Sequence, residues 1–378
     1  MNKSTVVILP CNNYDDQLVY EKLKKGIELI GGLDSLIKKD EKVLVKPNLL
    51  KPALPSKAIT THPSIFNGVL RMLQESGYNN LTYGDSSSSS PIEKAIELCG
   101  LSDVAKKYNV AVGNFSESVN VNFPGGKYGK KFNLCKGVVE ADALISICKM
   151  KTHALENITG AVKNQYGCIF STNKAIGHAK YPNSDIFAKM LVDLNKCVKP
   201  RLFIMDGVIA MEGNGPASGD QVPMKVLLIS TDPVALDSVF CELVYLNPAY
   251  VPTNTNGEKM GLGNMSRENI QIIDESGKIS FDQAIKIYGN KDFVVNRKNP
   301  SFWRINSLIQ KSKPPKHRPV VDVDKCIACG ACEDICPVEG KAVISGNGQK
   351  AKYDYNKCIR CYCCQESCPA KAISKYEE

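Results

Sequence analysis

Eight cysteines near the C-terminus repeat one spacing twice. Cys326, Cys329, Cys332 and Cys336 precede Pro337, and Cys358, Cys361, Cys364 and Cys368 precede Pro369. Each copy reads C-x2-C-x2-C-x3-C-P, the ligand pattern of a [4Fe–4S] cluster. A cubane needs four converging thiolates. A tight loop supplies three, and the fourth must come from elsewhere in the chain. The small residues Ala328, Gly330 and Ala331 let the loop wrap closely, and each proline stiffens the turn after the fourth cysteine. Structural zinc favours paired C-x2-C units with a longer gap between pairs, which two triplets and two proline-flanked singles match poorly. The expectation is two [4Fe–4S] clusters and one-electron transfer. Cys363, beside Cys364, is then a spare thiol.

In the bacterial two-cluster arrangement, which this segment resembles, the fourth cysteine of each run ligates the other cluster. Cluster one is expected on Cys326, Cys329, Cys332 and Cys368, and cluster two on Cys358, Cys361, Cys364 and Cys336. Residues 320 to 378 resemble bacterial-type two-cluster ferredoxins. Such clusters are oxygen-sensitive, so a reducing cytoplasm is the expected location. No run approaches 18 apolar residues, so no membrane span is expected.

The rest of the chain is long enough for a separate body. Apolar β-rich runs alternate with helical periodicity, which argues an α/β fold with a largely parallel sheet. Strands are expected at Thr5–Leu9, Lys42–Lys46, Asn80–Tyr83, Ala143–Cys148, Leu202–Met205 and Lys225–Ile229. Helices are expected at Val19–Ile30, Ser64–Glu75, Ile92–Cys99, Asp185–Cys197 and Val234–Tyr245. Ser90-Pro91 and Asp232-Pro233 read as helix starts, and Gly77 as a helix end. A polar stretch from Asn114 to Lys131 reads as a hairpin. The expected division is a body at 1–296, a basic linker at 297–320 and a small α+β two-cluster ferredoxin-like domain at 321–378. The linker carries seven Lys or Arg and no acid, with Pro314, Pro315 and Pro319 favouring an extended connector. It has few aromatics and no groove-reading motif, so no nucleic-acid partner is expected.

Three polar clusters follow expected strands, where open α/β sheets bind ligands. They are Lys46-Pro47-Asn48, Asp85-Ser86 with the serines to Ser90, and Lys149-Met150-Lys151-Thr152-His153, with Lys163-Asn164 further on. Lysines are costly to bury, so these suggest a basic cleft for carboxylates or phosphates. Lys46, Asn48, Asp85, Ser86, Lys149 and Asn164 are the candidate substrate-binding residues. Lys151, His153 and Lys163 are the candidate catalytic residues, the lysines stabilising negative charge and His153 supplying a proton. Asp206, Glu212, Asp232 and Asp237 are candidate acids of the same cleft. No nicotinamide, flavin or nucleophile-elbow motif is present.

The strings VKPNLL, TTHPSI, YGDSS, CKMKTH, TGAVKN, MDGVIAMEG and STDPVALDS resemble the family called domain of unknown function 362, over about residues 3 to 275. That resemblance implies an α/β body often fused to a two-cluster ferredoxin, without implying a reaction. The lysine and histidine strings are also similar, in isolated residues, to the nickel-pincer lactate racemase superfamily. The expected function is reduction of a small anionic or carbonyl substrate in the body, fed by the clusters from a cellular electron donor or acceptor such as a ferredoxin. The alternatives are a ferredoxin-type electron carrier with a docking domain, and a racemase-like or cofactor-handling protein.

Overall fold

The structure is a computed structural model that describes residues 3–87, 91–170, 172–181, 183–298 and 317–377. Its organising element is an 11-stranded sheet buried on both faces. Successive side chains of a strand point to opposite faces. Val7 and Leu9 therefore enter one apolar layer, and Val6 and Ile8 the other. Burial on both faces is why these strands read as unbroken apolar runs.

In chain order the strands of the body are β1 (Ser4–Pro10), β2 (Val43–Lys46), β3 (Leu81–Tyr83), β4 (Ala111–Val112), β5 (Ser118–Asn122), β6 (Lys131–Cys135) and β7 (Ala143–His153). They continue with β8 (Asn157–Thr159), β9 (Leu202–Glu212), β10 (Asp220–Val222), β11 (Val226–Ser230), β12 (Ile270–Asp274) and β13 (Gly277–Ile279). The sheet order is β13-β12-β1-β11-β9-β7-β2-β3-β4, with β10 on β9 and β8 on β7. The run β9-β7-β2-β3-β4 is parallel throughout. Strand β11 is antiparallel to both β1 and β9, so β1 and the parallel β12 point the same way as that run. The mostly parallel α/β body is as expected. The Asn114–Lys131 region contributes the hairpin β5–β6.

Two strands run further than their apolar runs suggest. β7 continues to His153 and β9 to Glu212. Lys149, Lys151 and His153 therefore lie on a strand rather than after one. The extension is held by pairing outside the parallel ladder, with Lys151 opposite Thr159 of β8 and Met211 of β9. Helices Asp16–Leu29, Pro63–Glu75, Ile92–Leu98, Ser184–Val198 and Pro233–Leu243 form close to the expected places. Asp232 caps the last of them, accepting from Val234 N at 2.8 Å and Ala235 N at 3.0 Å. Gly77 follows the end of Pro63–Glu75 with φ 85, a left-handed value that suits glycine. The expected Ser90 cap lies outside the described residues.

The C-terminal module is small and two-fold repetitive. β14 (His317–Val321) pairs with β17 (Ile373–Glu377), and β15 (Val343–Gly346) pairs with β16 (Gln349–Tyr353). The halves thus interlock, each lending a strand to the other. Residues 317–320, expected in the linker, are paired inside this module. Residues 299–316 of the expected linker lie outside the described residues. Arg297 is tied to the body, donating to the carbonyls of Val244 and Phe293 at 2.8 and 2.7 Å. Among the described residues no helix is long and apolar enough to cross a membrane.

Candidate functional site: a cavity at the junction of body and module

The C-terminal ends of β2, β3, β7 and β9 lie side by side, and each delivers a charged residue to a buried place. Lys46 ends β2 and pairs with Asp85, beyond β3, at 2.9 Å. The other Asp85 oxygen accepts from Leu49 N at 2.7 Å, so one carboxylate ties two loops together. Gly167 makes room for it: a Cβ there would lie 1.8 Å from Asp85 Oδ1.

Lys149 leads elsewhere. Its Nζ lies 2.7 Å from Asp206 Oδ2 and 2.9 Å from the Tyr14 hydroxyl, which itself donates to Asp206. That satisfied cluster is separate from the cavity. Asp232 caps a helix, and Asp237 accepts from Ala161 N and Val162 N at the start of helix Ala161–Asn164. Asp206, Glu212, Asp232 and Asp237 do not join the cavity wall, contrary to the expectation of shared acids.

The cavity encloses about 360 Å³. Of the expected residues, Asn48, Asp85, Ser86, Lys151, Lys163 and Asn164 line it, with Lys46 standing behind Asp85. Lys151 donates to Ile59 O at 2.7 Å, and burial drives its pKa well below the usual lysine value. The Lys163 ammonium makes no hydrogen bond or ion pair among the described residues. Asn48 donates to Asn164, which donates to Ser146, a relay fixing both amides.

His153 is buried beside the cavity rather than in its wall. Its Nδ1 accepts from Leu155 N at 3.1 Å and Glu156 N at 3.2 Å. An accepting Nδ1 carries no proton, so the ring proton sits on Nε2. That nitrogen lies 3.0 Å from Glu366 Oε1. Burial, with Lys163 nearby, lowers the His153 pKa to about 4. A buried neutral imidazole whose Nδ1 is held by two backbone amides, and which lies outside the cavity wall, is poorly placed to donate a proton to a ligand, so the structure gives His153 an anchoring place instead.

Helix Thr172–Lys180 supplies two lining residues that the sequence reading missed, Lys174 and His178. Lys174 donates to Ser86 O, and burial lowers its pKa to about 8, an effect opposed by Asp85. His178 stacks on Phe187 with centroids 4.5 Å apart and meets the edge of Tyr166 at 5.5 Å. Its Nδ1 is buried with no partner among the described residues, and burial lowers its pKa to about 3. An unpaired buried polar atom costs roughly 1–3 kcal/mol, which a bound ligand would recover. The one available signal was the spacing of Lys174 and His178 on a single helix face.

The remaining wall comes from the module: Ile335, Cys363, Glu366 and Ser367. Its docking is built on buried polar contacts. Gln365 Nε2 donates to Asn214 O at 2.9 Å and Gly215 O at 3.0 Å, and Asn214 Nδ2 donates to Ile373 O at 3.0 Å. Lys51 Nζ donates to Glu366 O at 3.1 Å. Neither Glu366 nor the cavity position of Cys363 was legible as part of a body site.

The cysteine loops suit an iron–sulfur group. Ala328 and Gly330 in one loop, and Arg360 and Tyr362 in the other, have φ of 54, 82, 59 and 63. This left-handed backbone curls each loop back on itself, and the non-glycine members pay strain for it. Cys326 N and Cys358 N both bond to an aspartate carbonyl at 3.1 Å, from Asp322 and Asp354. Ala351 N, Ala342 N and Ala372 N point at the sulfurs of Cys326, Cys336 and Cys368, at 3.5, 3.4 and 3.3 Å. A small apolar hollow gathers Cys326, Cys329, Cys332 and Cys368 with Val321, Ile327 and Ala351.

Residues 318–369 match the 4Fe-4S dicluster domain, which makes this module a ferredoxin-type, cluster-binding domain. A thylakoid-associated protein of Synechocystis sp. is 32% identical over 271 residues, covering 70% of this chain and 82% of its own. Two solved structures are similar at 14% identity. They are the lactate racemase apoprotein of Thermoanaerobacterium thermosaccharolyticum, with TM-score 0.41, and a structural-genomics protein of Thermotoga maritima, with TM-score 0.37. The alignments cover 63% and 59% of this chain, and the chain spans only 56% and 57% of theirs. Residues 43–242 match the domain of unknown function described as DUF362, and the chain belongs to that family.

Proposed function

We propose that this protein carries two [4Fe–4S] clusters and uses them to reduce a small anionic or carbonyl substrate held in the junction cavity. One observation carries this reading: a single cavity is walled by basic residues of the body and by residues adjoining the cluster cysteines. Ile335 neighbours Cys336, and Cys363 and Ser367 flank Cys364 and Cys368. Cys326, Cys329, Cys332 and Cys368 hold one cluster, and Cys358, Cys361, Cys364 and Cys336 the other. The hollow that gathers the first set supports this crossed division. When bound, the clusters supply electrons singly. Covalent attachment keeps them at high effective concentration beside the cavity.

The body's residues do the rest. Lys163, unpaired and facing the cavity, draws in an anion and stabilises charge that builds up on a carbonyl oxygen. Lys174 assists below about pH 8. Asn48 and Asn164 orient the ligand through their fixed amides. Leu50, Tyr166, Pro216 and Ile335 keep water from the reacting face. A cellular electron carrier such as a ferredoxin reduces the module, in a reducing compartment.

The test is reoxidation of dithionite-reduced protein, followed optically under anaerobic conditions across a panel of small carboxylates and carbonyl compounds. Acceleration by one chemical class, lost in Lys163→Met, is the expected result. Reoxidation indifferent to every compound would contradict the proposal.

A further inference from the structure

Three side chains of the cavity wall each keep a polar atom buried and unspent. Asn48, Thr159 and His178 are 8%, 3% and 4% exposed, and Asn48 Oδ1, Thr159 Oγ1 and His178 Nδ1 have no hydrogen-bond partner among the described residues. They come from three separate places: the loop after β2, the end of β8 and the helix Thr172–Lys180. Each is held by its neighbours. The Asn48 backbone N–H donates to Thr61 Oγ1 at 2.9 Å, and its Nδ2 donates to Asn164 Oδ1 at 3.2 Å. Thr159 lies opposite Lys151 in the β7–β8 pair and leads into the helix that carries Lys163. The His178 ring is fixed against Phe187 and Tyr166.

Buried polar groups are normally hydrogen-bonded, so three unspent ones around a single cavity set a demand on whatever fills it. Water can meet that demand. A ligand that displaces the water with an alkyl group leaves the three atoms unpaired, whereas one that reproduces the hydrogen bonds does not. Asn48 decides the kind of group required. Its amide nitrogen is spent on Asn164, so its oxygen can only accept, and the ligand must bring an N–H or O–H. The Thr159 hydroxyl and a neutral imidazole nitrogen can each donate or accept, so both adapt to that choice. We infer that the cavity selects small anions whose uncharged end is a carboxamide-type hydrogen-bond donor, with Lys163 meeting the charge and Asn48, Thr159 and His178 reading the amide. A primary carboxamide suits the set because one planar group offers two N–H donors and an acceptor. This inference deepens the anion-site reading proposed above and rests on it.

The test is anaerobic isothermal titration of the full-length, cluster-loaded, oxidised protein with malonamate, acetoacetate and 3-methylbutanoate. These anions share one carboxylate and one branched skeleton, and end in a carboxamide, a methyl ketone and an isopropyl group. Malonamate is expected to bind about tenfold or more tighter than either of the others. Thr159→Val, which exchanges the hydroxyl for a methyl, is expected to cut that preference by about fivefold without weakening 3-methylbutanoate. An unchanged preference in that variant would contradict the assignment of Thr159. If 3-methylbutanoate matches malonamate on the wild type, the selection is overturned while the anion site stands. If acetoacetate matches malonamate, the wall reads an oxygen and the donor requirement is overturned. If none of the three binds, both this inference and the anion site fall. The comparison among anions uses the wild-type protein alone, so a poorly folding variant does not remove the test.

Discussion

His153 and His178 sit where a second ring proton finds no favourable place. Their folded pKa values, about 4 and about 3, lie below the usual 6.5 because burial penalises the charged ring and nearby lysines repel it. The consequence has a definite sign. Above 6.5 both rings are neutral folded or unfolded, and no stability is lost. As pH falls from 6.5 toward 4, the unfolded chain binds protons that the folded one refuses, so stability drops. Each histidine is expected to remove about 2 kcal/mol between pH 7 and 5. Denaturant titrations of wild type and His178→Gln at both pH values check this. The variant should lose about 2 kcal/mol less than wild type. Lys163→Met should weaken anion binding by about tenfold or more by removing the unpaired cation, whereas Lys163→Arg should retain most of it. The lysines near 46, 151 and 163 were legible because a charged residue beside an apolar strand is conspicuous. Lys174 and His178 were not, since a one-turn spacing looks like any helix face. Glu366 was hidden inside a motif whose cysteines account for its surroundings.

Close approach governs the elements around the cavity. Gly167 brings its backbone against the Lys46–Asp85 pair, and a Cβ there would also lie 2.8 Å from Lys46 Nζ. Gly167→Ala must displace that pair, and breaking a buried ion pair costs about 3–5 kcal/mol. A fall in melting temperature together with loss of anion binding is the expected result. At the opposite wall, the helix Cys363–Ser367 is fixed to the body through Gln365. Gln365→Ala leaves the carbonyls of Asn214 and Gly215 without their donor, at about 1–3 kcal/mol. Hydrogen exchange should show reduced protection confined to 214–216 and 363–367, while the central strands keep theirs. Strand centres were readable because two-sided burial demands continuous apolar runs. Strand ends were not: β7 carries three ionisable side chains into buried positions, and their tertiary partners are invisible to local patterning.

The molecule as a whole is two units sharing one cavity. The module's cysteine spacing announced its chemistry, and the alternation of the body announced an α/β sheet. What the sequence withheld was the docking between them, which depends on contacts between residues more than a hundred positions apart, such as Gln365 with Asn214 and Glu366 with His153. That docking gives the cavity both a basic floor and a wall adjoining the motif cysteines Cys336, Cys364 and Cys368. The proposed reduction therefore requires a ligand in this cavity to lie close to a reduced cluster. Pulsed electron paramagnetic resonance of the anaerobically reduced protein with ¹³C-carboxylate-labelled propionate measures that proximity. A ¹³C coupling to the cluster signal that disappears in Lys163→Met is the predicted result. A bound, labelled anion with no coupling to either cluster would place the ligand elsewhere and contradict the account.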